Sequence, residues 1–307
     1  MTRKRNRFEP DRQLVGRMLI TMFLLGLLYV AFAAVLLVIL KSWIIVVVIA
    51  AALLGAQYWY SDKIALFAMR AQPVTDEQQP QLHAIIDRLC ALADMPKPAV
   101  AVSTSALPNA FATGRNADHT VVCVTTGLLN RLDEDELEGV LAHELSHVAH
   151  RDVAVITVAA FLGVLAGLLV RFTFYSALFG GGRRANNNPA IFGVILAVMS
   201  VSAAVYSISF LLIRALSRYR ELAADRSAAL LTGRPSALAS ALVKLDATSV
   251  RIPVKDLRTA QAFNAFFFTP ANKQGNSAAG RLLSTHPSTE QRLQQLSDIS
   301  TRLGEHT

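Results

Sequence analysis

Four stretches of this chain carry no charged residue: residues 18–40, 43–60, 153–170 and 191–213. Each is near the roughly 20 residues that a helix needs to cross the ~30 Å hydrocarbon core of a bilayer. A helix buried in a water-soluble core rarely runs that far without interruption. The pattern therefore predicts a mainly α membrane protein with four apolar helices. The composition agrees, with 53% hydrophobic and 17% charged residues, against about 25% charged in an ordinary soluble chain. The same figures exclude a disordered protein.

The first two runs are separated only by Lys41 and Ser42, which reads as a helical hairpin over residues 18–60 with Tyr58, Trp59 and Tyr60 as an aromatic anchor at its exit. The first run is too long for the apolar region of a cleaved signal peptide, and a second span follows at once. The third and fourth runs form a second hairpin over residues 153–213. Its loop, residues 171–190, contains the flexible stretch GGGRRANNNP. A shallow, partly inserted hairpin is the alternative for this pair.

Arg3, Lys4, Arg5, Arg7, Arg12 and Arg17 crowd the basic segment 1–17, and Arg214, Arg218 and Arg220 follow the fourth run. They outweigh Arg171, Arg183 and Arg184 in the outer loop, so the positive-inside rule puts the N-terminus in the cytoplasm. Four crossings return the chain to that side, where residues 61–152 and 214–307 make up one catalytic domain in two parts. The formal charge of +8 is thus accounted for by membrane topology, and no nucleic-acid partner is expected. Cys90 and Cys123 have no CxxC partner and read as reduced core thiols.

Between the hairpins the periodicity predicts a helix over residues 75–92, with Leu82, Ile85, Ile86 and Leu89 on one face. Short strands are expected at residues 99–102 and 121–124, joined by a loop or irregular edge strand. Asp133 with Glu136 reads as a capping box that opens a helix over 134–150. After the second hairpin, a separate helix is expected over 217–231, closed by Gly233, and another over 236–245. Ser288 with Gln291 is a second capping box, which opens a terminal helix to about Leu303. The resulting fold class is a zincin-like α+β catalytic domain with a small β-sheet, carried on apolar helices.

The 134–150 helix contains HELSH. His143 and His147 stand one turn apart, so both imidazoles face the same way and can share one metal ion, while Glu144 can take a proton from a water beside it. Neutral imidazole and tetrahedral preference point to zinc, one ion per subunit. A catalytic zinc needs a third protein ligand, and Glu221 in SRYRELAAD is the candidate. Its competitors are Glu134, Glu136 and Glu138, which mostly face elsewhere, and Asp152, which is too close in sequence to reach around the ion. His150 points about 60° away from His147. Asp225, four residues beyond Glu221, is expected to accept the outer N–H of a ligating histidine, with His143 as its partner. For the oxyanion of peptide hydrolysis, His286 is the candidate donor and Arg292 the runner-up.

Taken together, NAFATG, HELSHVAHRD, SRYRELAAD and THPSTEQR, in this order, resemble the HtpX family of bacterial membrane zinc metalloproteases. The eukaryotic CAAX prenyl endopeptidases share the core pattern. The resemblance implies a gluzincin-type endopeptidase with His143, His147 and Glu221 as zinc ligands and Glu144 as catalytic base. It implies a multi-pass cytoplasmic-membrane protein that degrades misfolded or damaged membrane proteins under stress and is prone to self-cleavage. Its expected partners are the lipid bilayer and membrane-protein or unfolded polypeptides. Asn109, Ala110, Phe111 and Ala112 resemble the family's substrate-facing segment, where an extended peptide would add to a strand edge and Asn109 would clamp its main chain. The HRD after the motif and the Gly-Arg-Asn-rich loop depart from many relatives.

His147 lies six residues before the third run and Glu221 eight after the fourth. At ~1.5 Å per helical residue both ligands sit ~10 Å from the bilayer edge, which predicts cleavage of cytosolic segments beside other proteins' spans. Two other readings compete. A CAAX-type prenyl peptidase would need a lipid-accommodating chamber of more spans. An inactive membrane scaffold or metal sensor would have no use for Glu144.

Overall fold

The computed structural model describes residues 12–39, 69–114, 119–150, 189–249 and 286–304, together with residues 48, 51–52, 55–56, 59–60, 63, 66–67, 152 and 167. Most of the second and third apolar runs, the Lys41–Ser42 turn and the outer loop fall outside these residues. Among the described residues two helices are long and apolar enough to cross a membrane, with mean hydropathies of 2.0 and 2.1. They are α1 (Arg12–Ile39) and the long helix α5 (Pro189–Thr232).

These two helices pack along a seam with heptad spacing. On α5 the buried residues Val198, Ser202, Val205, Ser209 and Leu216 alternate steps of four and three residues, with Leu212 completing the row. On α1 the matching row is Met18, Met22, Leu25, Tyr29 and Phe32, of which Leu25 and Phe32 are fully buried. Small Ser202 and Ser209 let the backbones approach, as at membrane helix interfaces. The outward face of α1 is apolar, with Leu19, Phe23, Leu27 and Val30 all more than half exposed. The Arg17 guanidinium lies over the Tyr219 ring, 5.8 Å from its centroid, so the basic end of α1 stands level with the ligand-bearing part of α5. From the third run, Gly167 lies against α5. A Cβ there would be 3.3 Å from the Tyr206 ring.

The remaining elements, in chain order, are β1 (Ala71–Pro73), α2 (Pro80–Ala93), β2 (Ala99–Ser103), β3 (Ala110–Gly114), β4 (Thr120–Thr125), α3 (Thr126–Leu129), α4 (Glu134–Ala149), α6 (Pro235–Ser249) and α7 (Thr289–Leu303). The strands form one mixed sheet in the order β1-β2-β4-β3, with β2 and β4 parallel and β3 antiparallel to β4 at the edge. One face of the sheet, through Val100, Val122 and Val124, packs on a core shared by α2, α4, α5, α6 and α7. The other face, with Ala101, Phe111, Val121 and Cys123, packs on Leu66 and Met69. Burial pushes the Cys90 thiol up to about 11 and Cys123 up to about 12, which leaves both as inert core thiols.

Both capping boxes are present: Asp133 with Glu136 opens α4 and Ser288 with Gln291 opens α7. Gly233 closes α5 at φ +67°, a conformation that favours glycine. Helix α4 meets α6 so closely that a Cβ on Gly139 would lie 3.2 Å from the Leu238 backbone.

Three expectations are corrected. The helix expected from Thr75 starts at Pro80, whose missing N–H suits the first turn. Strand β1 is an element that the pattern did not predict. The fourth apolar run and the helix at 217–231 are one unbroken helix of 44 residues, about 66 Å long. Arginines begin at 214, but charge does not end a helix, and residues 194–232 contain neither glycine nor proline.

Candidate metal centre

Helix α4 runs beneath the edge strand and beside α5, so its last two turns project His143 and His147 toward the α5 segment that holds Glu221. The three side chains converge. His147 Nε2 lies 3.2 Å from His143 Nε2 and 3.5 Å from Glu221 Oε1, and His143 Nε2 lies 3.6 Å from Glu221 Oε2. Among the described residues this is the group of histidines, cysteines and acids whose ligand atoms approach closely enough to hold an ion. Metal–ligand bonds of ~2.0–2.1 Å in a tetrahedron require ligand atoms about 3.3–3.4 Å apart, so the spacing fits a zinc-type centre. Two imidazoles and a carboxylate are also a catalytic donor set, with one position left for substrate or water.

The outer nitrogens fix the tautomers. His143 Nδ1 donates to Asp225 Oδ1 at 2.8 Å, and Arg292 grips the same carboxylate through Nε and Nη2, each at 2.6 Å. His147 Nδ1 donates to Asp152 Oδ2 at 2.5 Å, and Arg220 Nη2 reaches that oxygen at 2.7 Å. Each histidine therefore turns an unprotonated Nε2 inward when it binds a metal. Glu221 is buttressed by His286, whose Nδ1 lies 3.0 Å from Oε2.

Charge follows this wiring. Burial alone would raise Glu221, but the neighbouring His286 charge and hydrogen bonds from His143, His147 and His286 hold its carboxyl well below the usual range. Asp225 is likewise lowered against burial by Arg292 and His143. Asp152 is drawn down to about 2 against burial by Arg220 and His147. Burial opposes protonation of His147, yet the Asp152 and Glu221 bonds outweigh it and lift the ring to about 10. Glu144 is raised, first by burial and also by Glu221, while His143 and His147 oppose.

Glu144 Oε2 accepts the backbone N–H of Ala112 on β3, at 3.1 Å. That bond shows how the edge strand is turned. Asn109 is paired to Thr125, donating its N–H to Oγ1 at 2.8 Å and accepting the Thr125 N–H at 2.9 Å. Alternation along the strand then turns the main-chain groups of Ala110 and Ala112 to the free edge, over the metal ligands.

Asn109 is 1% exposed, and its main chain is paired to Thr125. The Phe111 side chain is buried on the sheet face away from α4. Arg292 lies behind His143, 3.5 Å from Nδ1, on the ring side opposite the metal position. His150 caps α4 with its Nδ1 2.8 Å from the Ser146 carbonyl, away from the ligands. Asp152 and Arg220 are the site residues that sequence reasoning missed. No local signal marks either, because their roles depend on which helix passes behind His147.

The family model described as peptidase family M48 matches residues 76–300. The chain is 68% identical over 300 residues to Protease HtpX homolog 1 of Streptomyces coelicolor, covering 98% of this chain and 97% of that protein. It is 49% identical over 302 residues to Protease HtpX homolog of Moorella thermoacetica, covering 98% and 99%. The fold is similar to the crystal structure of S. mikatae Ste24p, with a TM-score of 0.53 at 18% identity, over 93% of this chain and 66% of that longer one.

Proposed function

The chain belongs to peptidase family M48 and is a metalloprotease of the HtpX type, and from that premise we propose that it is a multi-pass membrane zinc endopeptidase that hydrolyses misfolded or damaged membrane proteins at the cytoplasmic face, and that it cleaves itself. The observation that carries this reading is the convergence of His143, His147 and Glu221 beside Glu144, with Glu221 on a helix continuous with an apolar span. In this reading four apolar helices cross the bilayer, and the basic N-terminus and both parts of the catalytic domain share the cytoplasmic side.

His143, His147 and Glu221 would hold the ion, which would supply Lewis acidity at the reacting centre. A substrate strand lies along the free edge of β3, where the main-chain groups of Ala110 and the Ala112 carbonyl fix its register. Glu144, positioned by Ala112, takes a proton from the water and returns it to the leaving amine. His286, with Nδ1 engaged by Glu221, is assigned to the developing oxyanion through Nε2. The site lies in water beside the bilayer, which suits loops and ends of membrane proteins.

The test uses detergent-purified full-length protein, with and without added zinc, offered an unfolded protein and a farnesylated peptide. Wild type should cut the unfolded protein and itself. Glu144→Gln should bind zinc as well as wild type and lose at least about 10²–10⁴-fold in rate. Preference for the farnesylated peptide would move the assignment to a prenyl-protein peptidase, and undiminished self-cleavage by Glu144→Gln would remove Glu144 from the chemistry.

A further inference from the structure

The two ligating histidines are backed by matching chains of an aspartate and an arginine, and the second chain has a different reach. Asp225 and Arg292 lie on α5 and α7, within the catalytic domain. Asp152 instead sits two residues beyond the α4 cap, at the entrance to the third apolar run, and Arg220 sits on α5 immediately before Glu221. Both are buried, Asp152 at 4% and Arg220 at 7% exposure. One oxygen, Asp152 Oδ2, takes both the His147 and the Arg220 hydrogen bonds. The bond that orients His147 is thus made by the atom that joins the chain entering one membrane hairpin arm to the chain leaving the other.

We propose that Asp152 is a positioning residue for His147 and that Arg220, by holding Asp152, ties the orientation of that metal ligand to the helix that carries Glu221. The inference rests on the metal-centre reading given above. The physical reason is geometric. A histidine ligand is rotationally defined only when its second nitrogen is engaged. Here the acceptor lies two residues past the cap of α4, in helical conformation, and its carboxylate is held by Arg220 Nη2 at 2.7 Å. Gly167 also lies against Tyr206 of α5 farther along. Arg220, read from the sequence as a topology charge, takes this role only when folded.

The experiment loads apo full-length protein in detergent with Zn²⁺ against a chromophoric chelator, and with Co²⁺ for its visible d–d spectrum. Wild type is compared with Asp152→Asn, Asp152→Glu, Arg220→Met and the double variant Asp152→Asn/Arg220→Met. Asp152→Asn should weaken Zn²⁺ binding by roughly 10- to 100-fold and alter the Co²⁺ bands, and Asp152→Glu should restore part of both. Arg220→Met should weaken binding in the same direction, and the double variant should be no worse than Asp152→Asn alone, because the arginine acts through the aspartate. Wild-type affinity and an unchanged Co²⁺ spectrum in Asp152→Asn would overturn the proposal. So would additive losses in the double variant, which would make Arg220 independent of Asp152. If Asp152→Asn does not fold, the affinity and spectrum of Arg220→Met decide by the same criterion. Failure of wild type itself to bind either metal would overturn the metal-centre reading and this inference with it.

Discussion

Removing Asp225 should separate two roles that its carboxylate combines. Asp225 is wholly buried, and it accepts one bond from His143 and two from Arg292, itself 2% exposed. Asp225→Ala leaves the Arg292 guanidinium buried without its counter-ion, and breaking a buried pair in this way costs about 3–5 kcal/mol. For a soluble part of this size each kcal/mol is worth ~2–4 °C, so the apparent Tm should fall by about 6–20 °C. The comparison belongs in the apo state, because bound metal would add its own stabilisation. Arg292→Met should cost a similar amount by stranding the carboxylate. The double variant Asp225→Leu/Arg292→Met removes both charges and should recover to within about 1–2 kcal/mol of wild type, since apolar replacement of a buried pair is often neutral. Metal affinity should not recover: both variants lacking Asp225 should bind zinc roughly 10- to 100-fold more weakly, because the His143 tautomer is no longer fixed. Thermal scans of the apo proteins and chelator competition read the two quantities separately. Additive stability losses in the double variant, or wild-type zinc affinity in it, would refute this account of the pair.

Zinc affinity and apo stability should respond to pH with opposite signs. His147 is lifted from the ordinary 6.5 to about 10 in the apo site, so zinc uptake at pH 7 should release protons, visible in a weakly buffered indicator. Affinity should then rise about tenfold per pH unit for each proton displaced. The apo fold gains from that same proton below about pH 6.5 and loses the contribution as pH climbs to about 10, so its Tm should drift down over this window. Gly139→Val should destabilise the apo fold by about 1–3 kcal/mol, because the new side chain meets the Leu238 backbone. A denaturation midpoint equal to wild type would show that α4 and α6 can part at little cost.

What could be read from the sequence was local. The two capping boxes, the His143–Glu144–His147 spacing and the Gly233 stop each depend on residues within a turn or two of one another. Each has the geometry that its residues dictate. Glu221 was readable by weighing it against the other acids near the motif, and Asp225, one turn on, was readable as the acceptor for His143. The assignments of Asp152, Arg220 and Arg292 were not readable, since each depends on which helices pass behind the histidines, and that is fixed by packing across distant segments. Strand β1 is three residues long and has no periodicity to detect. It exists because Ala71, Gln72 and Pro73 pair with β2. Phe111, expected in a loop or irregular edge strand, is a core residue because alternation in β3 turns it inward.

The unbroken run of α5 from apolar seam to metal ligand makes that helix a lever. Glu221 lies eight residues beyond Ile213 on one stiff axis, about 12 Å past the end of the apolar stretch. A change in hydrophobic thickness that retilts the lower arm by ~10° about that point swings the carboxylate by ~2 Å, as far as a zinc–oxygen bond is long. With α5 set in a bilayer, lipid composition would acquire a direct mechanical route to the geometry of the peptide-cutting centre.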